Sequence, residues 1–249
     1  MNSVLKENLN KIIVLFIIVI AFGISLAIML KYKTEGETNM PWILNKILIV
    51  SSADASNNLE ESENHKWNLN INQYNDIYFY ISKNDNYKKN SYINSVTIEN
   101  INIKQPKKGN ITLYRASNLE SKVFSYDDEF LIKDSLTFNG AKSDDAKNLE
   151  INNSGGMISF RVLNKDISKY ISDDDDEIHY DGSLLEKTGV TVEEISAELN
   201  FDLVIKTNKS TYRGNFTIQV PNENLEKDGV SQKTIDDFSN IIFKRERSK

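Results

Sequence analysis

The sequence contains no cysteine and only two histidines among its 249 residues. The absence of cysteine excludes disulfide bonds, zinc sites built from thiolates, cysteine nucleophiles and an anchor on a lipidated N-terminal cysteine. Stability must therefore come from a hydrophobic core, and about 200 residues are enough to build one.

The sequence also lacks short motifs of common catalytic sites. It contains no G-x-S-x-G pattern, no P-loop and no H-E-x-x-H pattern. Aspartate and glutamate are so frequent that spacing alone identifies no glycosidase pair. We therefore expect no enzymatic activity, with an envelope hydrolase that uses unmarked carboxylates as the alternative.

One long apolar segment stands near the N-terminus. Residues 12–30 carry no charge, and as a helix they would span about 28 Å, close to the hydrocarbon thickness of a bilayer. This length predicts a transmembrane helix, with Ile12, Phe16, Ile20, Ile24 and Leu30 among its anchoring residues. A cleaved signal peptide is the main alternative, but the apolar run continues through Leu30 without a polar cleavage region. A buried helix of a soluble protein is the third interpretation.

The flanking charges give the predicted topology. Lysines lie on both sides of the segment, so the positive-inside rule is nearly balanced. The short charged tail at 1–11 and the acids Glu35 and Glu37 favour a cytoplasmic N-terminus. We then expect a juxtamembrane linker at 31–41 and an extracytoplasmic domain at 42–249.

The predicted domain is acidic. Residues 1–33 hold four lysines and one glutamate, so 30 − 4 = 26 basic and 36 − 1 = 35 acidic residues remain, a net charge of −9. Such a charge repels phosphate backbones and excludes nucleic acid as a plausible partner. It would also keep the domain from lying flat on anionic lipid.

Apolar residues in this domain recur with a period of two. Ile77, Phe79 and Ile81 form one face of a strand, and residues 199–205 and 212–220 read as a hairpin. The pattern predicts a mainly β fold, an antiparallel β-sandwich-like domain with one or two short helices. Two packed β lobes with a boundary near 140–148 are an alternative.

Local signals predict further details. Turn residues at 105–109 and 152–156 favour two more hairpins, and residues 51–64 read as a loop. A phase slip at Asn100 predicts a bulge. Residues 166–171 suggest one helical turn, Gly189 a helix end, and Thr191 with Glu194 a capping box.

An acidic run at 173–177 is the strongest local charge cluster. Asp173, Asp175 and Glu177 are the weak candidates for a Ca²⁺ site, since hard cations prefer several carboxylates. The run lacks the glycine and the final glutamate of an EF-hand loop. The simpler interpretation is a solvated acidic loop, and we expect no other cofactor.

Tyrosines are concentrated between residues 74 and 92. Amphipathic aromatic side chains are typical of surfaces that bind peptides or glycans, although they also cover ordinary strands. We predict a binding surface that includes Tyr74, Tyr78, Tyr80 and Tyr87. Arg161 interrupts an apolar strand and is expected to form a structural salt bridge.

The organisation as a whole is similar to that of uncharacterised single-pass envelope proteins of low-GC Gram-positive bacteria. The shared features are the basic N-terminal tail, the apolar anchor, the short linker and a cysteine-free, Tyr/Asn/Lys-rich β domain. The resemblance covers organisation only and implies no activity. An anchored β domain without a catalytic signature instead favours a binding or scaffolding module at the cell membrane, with an envelope protein or glycan as partner. A calcium-dependent adhesion or sensor domain is a further alternative.

Overall fold

A computed structural model describes residues 2–35, 40–57, 67–117, 123–141, 149–172 and 182–247. Twelve strands and four helices lie in these ranges. The helices are α1 Asn2–Lys31, α2 Ser183–Thr188, α3 Val192–Ile195 and α4 Leu225–Asp228. The strands are β1 Tyr32–Glu35, β2 Trp42–Asn57, β3 Trp67–Lys83, β4 Ile93–Lys104, β5 Asn110–Arg115, β6 Ser135–Gly140, β7 Glu150–Ile151, β8 Gly155–Ser172, β9 Ala197–Thr207, β10 Ser210–Val220, β11 Val230–Ile235 and β12 Phe243–Arg247.

The strands form two sheets, which confirms a mainly β fold. Sheet A has seven strands in the order β1-β12-β10-β9-β4-β6-β7, and sheet B has five in the order β11-β2-β3-β8-β5. All neighbours are antiparallel except β6 and β7, which are parallel. The three short helices exceed the predicted one or two, because the 182–195 and 225–228 segments form three separate turns.

Alternating β-branched and aromatic residues build the core between the sheets. Phe201 of sheet A is fully buried and meets Phe79 of sheet B edge-on, with ring centroids 5.8 Å apart. Phe201 also stacks on Phe216 at 5.8 Å. Both sheets contribute to a single cluster of buried apolar side chains, so the two sheets pack as a sandwich.

In each sheet, strands from the first half of the chain pair with strands from the second half. Strand β4 pairs with β9 in sheet A, and β3 pairs with β8 in sheet B. Strands from before and after residues 140–148 therefore share both sheets and one core.

A second, smaller core lies at one end of sheet B. Strands β2, β3 and β8 extend beyond the main core, and α2, α3 and α4 cover these extensions. Leu184, Leu185 and Leu225 from the helices are buried at 0–1% exposure against Ile71 of β3 and Ile167 of β8. The helices thus stabilise strand ends that the sandwich itself does not cover.

A buried polar layer separates the two cores. Gln73 and Asn75 of β3 hydrogen-bond each other at 2.7 and 3.1 Å, and the Ser51 hydroxyl donates to Asn75 at 2.8 Å. The backbone N–H of Asn222 donates to Ser51 Oγ at 3.0 Å. Because buried polar groups are costly unless they are paired, this layer fixes how β2, β3 and the 221–224 turn fit together.

Helix α1 continues directly into the sandwich. It ends at Lys31, and the next residue, Tyr32, begins β1, the edge strand of sheet A. Tyr32 lies opposite Glu246 of β12. A strand therefore lies within the segment predicted as a linker, of which residues 36–39 are outside the described ranges. The end of the sandwich at which β1 begins is called here the helix-proximal end.

Several hairpin predictions have clear outcomes. The hairpin of β9 and β10 is confirmed, with Leu199 opposite Ile218. The hairpin predicted around 105–109 is wrong, because β4 lies in sheet A and β5 in sheet B. The hairpin around 152–156 is wrong for the same reason, since β7 joins sheet A and β8 joins sheet B. A turn signal marks a reversal of the chain but does not tell a hairpin from a crossing between sheets.

Other local predictions divide in the same way. The bulge at Asn100, the helix end at Gly189 and the capping box at Thr191 are confirmed. The loop predicted at 51–64 is wrong up to Asn57, because β2 continues there. It pairs with β11 as far as Ser52 and with β3 as far as Asn57. The helical turn at 166–171 is also wrong, since these residues belong to β8. Asp166, at φ 54°, lies in a bulge of this strand.

Candidate functional site

Three of the four predicted binding tyrosines share the outer face of sheet B. Along β3, Ile77, Phe79 and Ile81 point into the core and are at most 3% exposed. Because side chains alternate along a strand, Tyr78 and Tyr80 lie on the opposite face together with Tyr74. All three are half-buried.

Arg161 of β8 is the centre of this outer face. Its Nε and Nη2 donate to the two carboxylate oxygens of Asp76 at 2.5 and 2.7 Å, and its Nη1 donates to the Tyr126 hydroxyl at 2.5 Å. The guanidinium also lies over the rings of Tyr74 and Phe124, at 5.0 and 4.6 Å. Arg161 therefore forms the predicted salt bridge and also fixes three aromatic side chains.

The charges and rings around Arg161 shift several pKa values. Burial lowers the pKa of Arg161, but the hydrogen bonds and charge of Asp76 outweigh it and raise the pKa. Burial, with Tyr126 and Asp54, raises the pKa of Tyr74 to about 12. Burial and Asp76 also raise the pKa of Tyr78. Both phenols therefore stay protonated at neutral pH and can donate hydrogen bonds to a ligand.

The segment between β5 and β6 forms a wall along one side of this face. Phe124 pairs with Ala116, and the Ile132 N–H donates to the Leu113 carbonyl at 2.8 Å. The Tyr126 ring packs edge-on against Tyr114, with centroids 5.3 Å apart. Nothing in the apolar pattern of 123–132 pointed to this contact, so Phe124 and Tyr126 were not predicted as part of the site.

Beyond the wall, the face is open and partly apolar. Met157 lies opposite Tyr80 and is 47% exposed. The Lys46 ammonium stands 4.5 Å above the Tyr80 ring. Aromatic rings, a thioether and hydrogen-bond donors fixed by Arg161 form a surface suited to a ligand with both apolar and polar groups.

Tyr87, the fourth predicted tyrosine, lies elsewhere. It follows β3 in the turn at 84–87, where its N–H donates to the Asn84 carbonyl at 3.0 Å. Tyr87 is close enough to Tyr212 of sheet A to contribute, after burial, to raising the pKa of Tyr212. It therefore belongs to the helix-proximal end rather than to the outer face of sheet B.

Three carboxylates surround Arg213 on the outer face of sheet A. Arg213 Nη1 lies 2.6 Å from Glu99 and 3.0 Å from Asp202, and its Nε lies 3.0 Å from Glu246. Burial raises the pKa of Asp202, but hydrogen bonds from Asn215, Asn100 and Arg213 lower it overall. Asp202 thus stays ionised and does not supply the protonated acid that glycoside hydrolysis requires.

The predicted calcium ligands Asp173, Asp175 and Glu177 lie outside the described residues, as do both histidines. Within the described ranges, no group of three His, Cys, Asp or Glu residues is arranged to hold a metal ion.

A depression of about 660 Å³ lies among the short helices. Its lining includes Leu185 of α2, Val190 and Thr191 before α3, and Glu226 of α4. Glu226 accepts a hydrogen bond from the Val192 N–H at 2.6 Å, which joins α3 to α4. This contact stabilises the small core.

Helix α1 exposes its apolar side chains. Side chains are described for residues 13–27, and all of them are exposed. Phe16, Ile20 and Ile24 are 67%, 46% and 57% exposed, while the side chains of Ile12 and Leu30 lie outside the described set. Among the described residues, no helix meets the length and apolar character needed to cross a membrane. The span at 12–30 therefore stays a prediction.

Comparisons with known proteins give no relative: no protein-family model, no curated protein and no solved structure matches the chain.

Proposed function

We propose that the protein is a membrane-anchored binding or scaffolding module of the bacterial cell envelope. In this proposal residues 12–30 contact the lipid bilayer, the N-terminus is cytoplasmic and the sandwich is extracytoplasmic. The outer face of sheet B, centred on Arg161, binds an envelope protein or glycan.

The exposure of α1 carries the proposal. Large apolar side chains from Ile13 to Leu26 are between 46% and 69% exposed. Each such side chain gains about 1.5–3 kcal/mol when it leaves water, so the helix requires an apolar environment. Lipid supplies this environment on all sides of a helix, and the sequence at 12–30 is apolar on all sides.

The outer face of sheet B supports the binding role. Arg161 and Asp76 are only 21% and 16% exposed, and their bidentate contact holds the surrounding rings in fixed positions. Tyrosine rings held rigidly contribute contact area at a low cost in conformational entropy.

A flotation experiment tests the anchor. The full chain is mixed with lipid vesicles and separated on a density gradient. Replacing Phe16, Ile20 and Ile24 together by lysine places three charges on one side of the helix, at about 2.5–3.5 kcal/mol each at the bilayer centre. We expect the wild-type chain to float and the lysine variant to remain at the bottom.

The control replaces the same three residues by leucine, which keeps the helix apolar, and this variant should float like the wild type. A lysine variant that floats equally well would overturn the anchor. Protease treatment of intact cells tests the topology, and a sandwich protected from digestion would reverse the proposed orientation.

Binding by the outer face is tested with the full chain in detergent on glycan fragments and proteins extracted from the envelope. Tyr78→Ser together with Tyr80→Ser should abolish reproducible capture, because it removes the open aromatic surface. Tyr87→Ser, outside this face, is the matched control. Equal capture by both variants would refute the assignment of the binding face.

A further inference from the structure

The helix-proximal end of the sandwich gathers loops from both sheets. The Asn84 side chain donates to the Met40 carbonyl at 2.8 Å, which holds the loop after β3 beside the start of β2. The Ser91 hydroxyl donates to Asn208 at 3.3 Å, which joins the same loop to the β9–β10 turn. Strand β10 begins beside the end of β12, and β1 begins there too. Loop 83–92, turn 207–210 and the end of α1 therefore share one end of the molecule.

Lysines concentrate on these loops. The sequence of loop 83–92 contains three lysines and one acid, Asp85, and two further lysines flank the β9–β10 turn. All five lysine side chains are exposed: Lys83, Lys88, Lys89, Lys206 and Lys209. Half-buried Tyr87 and Tyr92 stand among them.

The opposite end exposes acids as well as lysines. The short helices and their flanking residues expose Glu186, Glu193, Glu223, Glu226 and Asp228. At the helix-proximal end, by contrast, residues 83–92 and 206–210 hold five exposed lysines and one acid. This locally basic end is the one to which α1 is joined.

We propose that the helix-proximal end docks onto the anionic surface of the membrane that holds α1. The inference rests on the proposed anchor. A helix that ends at Lys31 and continues as β1 leaves no free spacer, so an inserted α1 brings the five lysines to the headgroup region. Clustered lysines next to a membrane segment attract anionic headgroups, and tyrosines favour the interface. The expectation from net charge alone, that the domain avoids anionic lipid, takes no account of this local cluster of lysines.

The absence of cysteine allows a site-specific probe. Asn90→Cys places one thiol in loop 83–92, and Glu223→Cys places one at the opposite end; both positions are exposed. Each full-length variant is labelled with an environment-sensitive fluorophore and reconstituted into vesicles that contain a lipid quencher. One set of vesicles is phosphatidylcholine alone, and the other is equal parts of phosphatidylcholine and phosphatidylglycerol.

Docking predicts quenching at position 90 in the anionic vesicles, little in the neutral vesicles and none at position 223. A change of all five lysines to Gln should abolish the quenching, since each lysine near an anionic leaflet contributes about fivefold to the docking equilibrium. High salt should weaken the quenching of the wild type, because the screening length falls from about 8 Å to about 3 Å at 1 M.

The control variant changes five exposed lysines towards the opposite end to Gln, which gives the same net charge and should keep the quenching. These are Lys104, Lys107, Lys165, Lys169 and Lys227. Circular dichroism establishes that each variant is folded.

Two failures are distinguishable. The docking surface is overturned, and the anchor kept, if the chain floats with both vesicle types but is quenched equally in both. The same conclusion follows if the chain floats but the five-lysine variant keeps its quenching. A chain that floats with neither overturns the anchor, and the docking surface with it.

Discussion

The pair of Arg161 and Asp76 offers the sharpest test of the outer face of sheet B. A hydrogen bond to a charged group contributes about 1.5–3 kcal/mol, and a guanidinium over an aromatic ring about 0.5–1 kcal/mol at an exposed site. Arg161 makes two bonds to Asp76 and lies over two rings, but both side chains keep about a fifth of their exposure. Solvent therefore weakens these contacts, and Arg161→Met should lower the free energy of unfolding by about 2–3 kcal/mol.

Asp76→Val should cost a similar amount, because it leaves the Arg161 charge without its partner. The double variant should lose much less free energy of unfolding than the two single variants together, since removing both partners leaves no unpaired charge. We expect a coupling energy of about 2 kcal/mol. The measurement is urea denaturation of the full chain in mild detergent, followed by the β-sheet signal in circular dichroism.

Arg115→Met combined with Asp76→Val is the control cycle. Arg115 donates to the Glu129 carbonyl at 3.3 and 3.4 Å and lies over Phe130, away from Asp76. The losses in free energy of unfolding from Arg115→Met and from Asp76→Val should therefore add in the double variant. If the Arg161 cycle is also additive within about 0.5 kcal/mol, the arginine does not hold the face together and the reasoning fails.

Three further outcomes follow from the core, from one tyrosine and from the glycines. Phe201→Ala should destabilise the sandwich by about 3–5 kcal/mol in urea denaturation, since it empties the contact between the sheets; a loss below 1 kcal/mol would contradict that packing. Absorbance titration should show one tyrosine ionising near pH 12 that Tyr74→Phe removes. Because an unfolded tyrosine ionises near pH 10, the folded state holds more protons between pH 10 and 12, so the free energy of unfolding should fall as pH rises through this window. Gly155→Ala should destabilise far more than Gly189→Ala: both have positive φ, but a Cβ on Gly155 would lie 2.2 Å from the Ile81 carbonyl oxygen, whereas one on Gly189 meets nothing within 4 Å. Similar melting temperatures for the two variants would count against the described turn.

Strands with a strict period of two were predictable because one face of the strand is buried and the other is exposed to solvent. Ile77, Phe79 and Ile81 are buried as predicted, and the β9–β10 hairpin has the expected partners. Strand β2 beyond Val50 was missed, since Ser51 and Ala53 carry no apolar period. Their burial depends on a polar layer and on helices that come from more than a hundred residues later in the chain.

The candidate site was predictable only in part, for a related reason. The alternation of Ile77, Phe79 and Ile81 implied that Tyr78 and Tyr80 lie on the other face of the strand. Arg161 stood out as a charge on an apolar strand. The aromatic wall was not predictable, because Phe124 and Tyr126 lie in an irregular segment whose partners are set by tertiary structure. Turn signals gave chain reversals but not the sheet to which each following strand belongs.

The junction between α1 and β1 also determines how mechanical load enters the molecule. A pull on the helix that is directed along β1 loads the hydrogen bonds between β1 and β12 together rather than one after another. If that strand pair yields, residues 32–41 can span at most about 33 Å, at 3.3 Å per residue. The remaining strand pairs of sheet A would stay intact, because β1 is an edge strand that pairs with β12. The edge strand is thus a latch that can lengthen the tether without unfolding the sandwich.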